Sequence, residues 1–208
     1  MMRTISTIAT ALITLAPATA AAGAHELAFE SGSLHNGDRV FDRFSNDDSM
    51  PSLGLRAAYA LNDNFGIVAA WHNTRIGGDV YFGNSFIARQ AFLAHDFSAG
   101  LKVDVPIHDL VSPYATLTAV GVTGTVKLDD DPDDADSPGQ VQDSALSFGG
   151  RAAAGVDIHL SAERLNTPVG FGIHIDFGYQ LLSRMQFSEF GSMKPGGFAM
   201  RAGLGVQF

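Results

Sequence analysis

Residues Gly197 to Phe208 alternate without a break. Phe198, Met200, Ala202, Leu204, Val206 and Phe208 form one apolar set, and Gly197, Ala199, Arg201, Gly203, Gly205 and Gln207 form a small or polar set. A side-chain period of two belongs to a β-strand, with one set on each face. The same rhythm recurs along most of the chain, so the fold must give every strand two unlike environments.

Seven further segments carry the rhythm. His25–Leu34 places Leu27 and Phe29 against Glu26, Ala28 and Glu30, the weakest alternation of the set. Ser52–Leu61 places Leu53, Leu55, Tyr59 and Leu61 against Gly54, Arg56 and small residues. In the third, Phe65, Ile67 and Trp71 oppose Gly66, Val68 and His72. Phe92–Ile107 sets Leu93, Phe97, Leu101 and Val103 against Asp96, Ser98, Lys102 and Asp104, with His95 on the apolar side. Tyr114–Leu128 groups Tyr114, Thr116, Thr118, Val120, Val122 and Val126 on its apolar face, with Leu117 and Ala119 opposite. Ala145–Leu160 sets Leu146, Phe148, Val156 and Ile158 against Ser147, Arg151, Asp157 and His159. Val169–Phe187 sets Phe171, Ile173, Ile175, Phe177 and Tyr179 against Gly172, His174, Asp176 and Gln180.

Short connections at 62–64, 106–112 and 161–168 alternate with long ones at 35–51, 76–91, 129–143 and 188–196. This predicts an all-β fold: an eight-stranded antiparallel up-and-down barrel crossing a membrane, with short periplasmic turns and four longer outer loops. A soluble lipid-binding barrel in the periplasm has the same period with its faces reversed. Eight strands enclose little more than the volume of their own side chains, so the bulky set is assigned to lipid and the small and charged set to the interior. Closure also satisfies the backbone groups that lipid leaves without partners. Apolar-face aromatics near strand ends then form interfacial girdles: Tyr59, Phe65, Tyr114, Phe171 and Phe208 at the turn end, and Phe148, Phe187 and Phe198 at the loop end.

The interior set contains Glu26, Glu30, Arg56, His72, Asp96, Lys102, Asp104, Arg151, Asp157, His174, Asp176 and Arg201. Buried charges need partners. Arg151 is expected level with Asp176, and Arg201 is expected to meet Glu26 or Glu30 where the last strand closes on the first.

Composition limits the alternatives. A formal net charge of −9 speaks against nucleic-acid binding, and the absence of Cys removes disulfides and thiolate metal sites. Residues 1–24 read as a cleaved signal peptide: Arg3, an apolar stretch from Ile5 to Ala16, and Ala22-Gly23-Ala24 before His25. The domain reading is therefore 1–24 signal and 25–208 barrel, delivered to the cell outer membrane.

No residue set commits to catalysis, cofactor binding or a metal. Asp129, Asp130, Asp131, Asp133, Asp134 and Asp136 make an acidic loop suited to divalent cations and, through them, to lipopolysaccharide phosphates, but the spacing is not that of an EF-hand. His159, Ser161 and Glu163 match a hydrolase triad in type but sit at the periplasmic end, away from outer-leaflet lipid. Histidines 35, 72, 108 and 174 read as loop or interior groups.

The mature chain resembles the small eight-stranded outer-membrane proteins of the OmpA-barrel, OmpX and OmpW kind. The resemblance rests on the signal segment, the hairpin rhythm and the ending Arg201-Ala202-Gly203-Leu204-Gly205-Val206-Gln207-Phe208, with Val206 where OmpW-like chains often carry Tyr. It implies a monomeric porin-like barrel among outer-membrane lipids and lipopolysaccharide, inserted by the barrel assembly machinery, which reads a terminal aromatic. The expected role is non-enzymatic: a structural or surface-interaction role, or passage of small molecules including hydrophobic ones. A lipid A-modifying enzyme of the outer membrane is the alternative, and a soluble periplasmic lipid-binding barrel the second.

Overall fold

The computed structural model describes residues 25–38, 49–82, 85–130 and 141–208, with 79–82, 85–88 and 130 described through their backbone alone. The predicted signal segment and most of the acidic loop lie outside the described residues. The strands are β1 (Glu26–His35), β2 (Ser49–Ala60), β3 (Phe65–Phe82), β4 (Ser85–Asp104), β5 (Val111–Asp130), β6 (Val141–Leu160), β7 (Gly170–Leu182), β8 (Met185–Phe187), β9 (Gly191–Met193) and β10 (Gly197–Gln207); a one-turn helix α1 (Ala162–Leu165) lies between β6 and β7. Eight of them close in the order β1-β10-β7-β6-β5-β4-β3-β2, every pair antiparallel. β8 and β9 form a separate small hairpin.

The predicted faces hold on seven of the eight barrel strands. Leu27, Phe29, Leu55, Phe97, Leu101, Phe148, Phe177 and Leu204 are all exposed, whereas Glu30, His72, Asp157, Asp176 and Arg201 are buried. An apolar belt encircling a closed barrel is far larger than the patches that water-soluble monomers tolerate, and it matches a lipid-facing surface. This disposes of the soluble lipid-binding barrel.

Three expectations change. β5 is turned over: Tyr114, Thr116, Thr118, Val120 and Val122 are buried and Leu117 is 67% exposed. The reason is register. Leu117 lies opposite Leu101, and Ala119 opposite Ala99, so they share the lipid face of β4, while Tyr114 is carried inward beside Asp104. Tyr114 is therefore not a girdle residue. Phe187 is not one either; it is 5% exposed within an apolar cluster over the barrel. Finally, most of the predicted loop at 76–91 is strand, and the described ends of the predicted loop at 129–143 are strand. β3 and β4 stay paired from Phe65↔Val103 to Phe82↔Ser85, and β5 and β6 from Val111↔Ile158 to Leu128↔Val141. Backbone pairing continues here past the segments where the sequence alternates strictly. The 188–196 connection likewise contains β9.

At the short-turn end the connections are tight. Asn62 Oδ1 accepts from the Asn64 and Phe65 backbone N–H groups at 3.0 and 2.9 Å. Ser161 caps α1, and its hydroxyl accepts from Arg164 N at 3.4 Å.

Candidate functional site: the barrel interior

Small residues such as Ala28, Gly54, Ser98, Ala153 and Gly203 face inward among the charged ones, and this lets long side chains cross the lumen. Gly54 and Gly203 have no space for a Cβ, because the rings of His72 and His174 lie against their backbones. The two imidazoles converge on one carboxylate: His72 Nε2 and His174 Nε2 each lie 2.6 Å from a different oxygen of Glu30. An ionised carboxylate only accepts, so both nitrogens donate.

Towards the short turns, Asp157 receives Lys102 Nζ at 2.6 Å, and the same ammonium reaches Asp104 at 2.5 Å. Arg56 Nη1 stands 3.6 Å from Glu26 and 3.8 Å from Asp157. Tyr114 lies between the two cations, with the Arg56 guanidinium 5.1 Å and Lys102 Nζ 4.9 Å from its ring centre. Its hydroxyl donates to Asp176 at 3.3 Å, and Asp176 also binds Arg151, the predicted pair. Arg201 does not meet Glu26 or Glu30 at the seam. It reaches Asp96 at 3.5 Å, whose other partner is Gln180 at 3.0 Å. The histidines have taken Glu30, and β10 aims Arg201 across the lumen towards β4.

Above this network the interior turns apolar. Met50, Ile76, Phe92, Val122, Val126, Leu182, Met185, Phe187 and Met193 pack together, with both Met185 and Met193 fully buried. Gly124 makes room for them: a Cβ there would stand 2.7 Å from Met185 Sδ and 3.0 Å from the Phe92 ring. The β8–β9 hairpin that brings these methionines is latched on both sides. Ser147 Oγ donates to the Ser183 carbonyl at 2.6 Å, Asn36 Nδ2 donates to the Lys194 carbonyl at 2.6 Å, and Asp38 accepts from Lys194 N at 2.9 Å.

A cavity of ≈ 20 Å³ lies within the charged layer, lined by Arg56, Ser98, Thr118, Arg151 and Arg201, with Glu30 and Asp176. A single water needs roughly 10–15 Å³ on this measure.

The other predicted groups separate. His159 contacts Gln207, Ser161 is occupied as a helix cap, and Glu163 is exposed on α1. His108 shapes its turn by accepting from Leu110 N at 3.2 Å, and His35 packs on Phe198. His95, on the lipid side, stacks on Trp71. The apolar cluster and the shared role of Glu30 escaped sequence reasoning. The signal for the first is Met185 and Phe187 at the end of the predicted seventh strand, with Met193 in the predicted loop that follows, too apolar a set for a strand end and a solvated loop.

The model of the outer membrane protein beta-barrel domain family matches residues 7–208. The chain belongs to this outer-membrane β-barrel family. Among solved structures, this barrel is similar to Ail, the attachment invasion locus protein of Yersinia pestis, in its complex with the heparin analogue sucrose octasulfate: 17% identity over 89% of this chain and 97% of that one, with a TM-score of 0.51. It also aligns with the outer membrane protein OprG from Pseudomonas aeruginosa, at 15% identity over 90% of this chain and 97% of that one, TM-score 0.49. At such identity the likeness to Ail shows a shared fold. No curated protein matches the chain. The family and the lipid-facing belt assign this barrel to the outer membrane.

Proposed function

We propose that this outer-membrane barrel is non-conducting and non-enzymatic, and that it serves envelope integrity and contacts made by its outer face. The observation that carries this reading is the filled interior. A charged layer and a methionine-rich apolar layer lie in series across the lumen, and a cavity within the charged layer accommodates about one water. Passage of small molecules through the lumen requires both layers to rearrange, and the β8–β9 latch opposes this. Passage is therefore the weaker reading.

In this account a cleaved signal at residues 1–24 delivers the chain, and the assembly machinery inserts it as a monomer. Its outer hairpins meet lipopolysaccharide, with divalent ions bridging the acidic stretch around Asp129–Asp136 to lipid phosphates. A lipid A hydrolase is disfavoured because His159 is engaged by Gln207 and the Ser161 hydroxyl caps α1. Deleting the gene tests the reading. Increased killing by detergent and by bulky hydrophobic antibiotics, restored by the intact gene, is the expected result. Unchanged sensitivity together with slower uptake of a small solute would favour passage. An altered lipid A mass spectrum would favour the enzyme.

A further inference from the structure

We infer that the turn end of the lumen holds a divalent transition-metal site, best suited to Zn²⁺, formed by Glu26 on β1, Asp157 on β6 and His174 on β7. One ligating atom from each lies within 4.8 Å of the other two, and all three residues are buried.

The polar accounting points to something these three atoms should hold. Glu26 Oε1, Asp157 Oδ1 and His174 Nδ1 are all buried without a hydrogen-bond partner, although every other polar atom of these side chains has one. His174 donates from Nε2 to Glu30, which leaves Nδ1 facing Glu26 Oε1 at 3.4 Å. A neutral imidazole oriented this way aims a lone pair at a carboxylate. A metal ion between them removes that conflict, and the His174–Glu30 bond is then the usual outer-shell contact of a metal-bound histidine. Glu30 is itself fixed by His72.

Geometry and charge agree. Metal–ligand bonds of about 2.1 Å in a tetrahedron place ligand atoms roughly 3.4 Å apart, the separation already present between His174 and Glu26; Asp157 needs a shift of about an ångström. One nitrogen and two oxygens suit Zn²⁺ better than Mg²⁺ or Ca²⁺. The described interior sets six carboxylates (Glu26, Glu30, Asp96, Asp104, Asp157 and Asp176) against four permanent cations (Arg56, Lys102, Arg151 and Arg201). One divalent ion balances that excess. Arg56 Nη1, now 3.6 and 3.8 Å from the two carboxylates, must withdraw; it lines the adjoining cavity, where Glu30 and Asp176 offer acceptors.

The test uses the purified, folded full-length mature barrel in detergent, stripped with a chelator and titrated with ZnCl₂ by calorimetry. One Zn²⁺ per barrel with micromolar or tighter affinity is expected, at least tenfold weaker in Asp157→Asn and His174→Gln, and unchanged in Asp109→Asn, whose carboxylate lies on an exposed turn. Mg²⁺ should not compete. Zinc-edge X-ray absorption of the wild type covers the case in which the variants do not fold, and should show a mixed shell with one imidazole. Absence of stoichiometric binding overturns the proposal, as does binding of wild-type strength in folded Asp157→Asn and His174→Gln, or a shell of several imidazoles. The first of these outcomes means that protonated His72 and His174 balance the interior instead.

Discussion

Asp176 shows how this interior accommodates charge. It binds Arg151 and accepts from the Tyr114 hydroxyl, so one carboxylate satisfies β5 and β6 from its place on β7. Asp176→Ala strands a buried guanidinium, which costs about 3–5 kcal/mol. Tyr114→Phe removes one hydrogen bond and leaves the ring between Arg56 and Lys102, for a loss of about 1 kcal/mol. Urea unfolding in lipid vesicles, followed by gel mobility without boiling, should rank Asp176→Ala well below Tyr114→Phe, with Tyr114→Phe near wild type; the reverse order would show that the Tyr114 hydroxyl, rather than the ion pair, holds this region. Gly203→Ala should also destabilise the barrel, because its Cβ would overlap the His174 ring and stand 2.8 Å from the Phe29 carbonyl. The same measurement reads it, and wild-type stability would mean that His174 adopts another orientation.

At the scale of elements, β5 and β10 make contrasting cases. β10 was legible because bulk and lipid exposure coincide on every second residue. β5 was not, because its bulky residues Tyr114 and Val120 go inward while Ala115, Ala119 and Gly121 line the lipid side beside Leu117. Hydrophobicity alone favours the wrong face; the partner strand decides it. Leu117→Arg puts a charge into lipid and should cost about 2–4 kcal/mol near the midplane, whereas Thr116→Ser should cost little. Equal, small effects would return β5 to the orientation its sequence suggested. The closing seam makes a second element-scale prediction. His25 and Phe208 exchange backbone hydrogen bonds at 3.0 Å, and the His25 ring stacks on Tyr59 with Phe208 at its edge. Deleting Phe208 should therefore lower the yield of heat-modifiable barrel; a normal yield would show that pairing from Gln207 inwards suffices.

For the whole molecule, the number of barrel strands, their antiparallel neighbour order and membership of the charged interior were readable from the sequence, since lipid imposes a period of two and eight strands leave little room inside. Partner choice was not. Arg201 bonds Asp96, on a strand distant in sequence, because the tilt and stagger of a closed barrel set which inward residues share a level. The apolar layer was hidden for a similar reason: Met185 and Met193 become core only when their hairpin folds back over the lumen. On the proposed reading, the two layers together make the barrel a sealed body in the membrane. Single-channel recording of the purified barrel in a planar bilayer tests it most directly. The seal predicts no resolved conductance steps in concentrated salt at moderate voltage, under conditions where an open porin conducts; frequent, uniform steps from the folded wild type would contradict it.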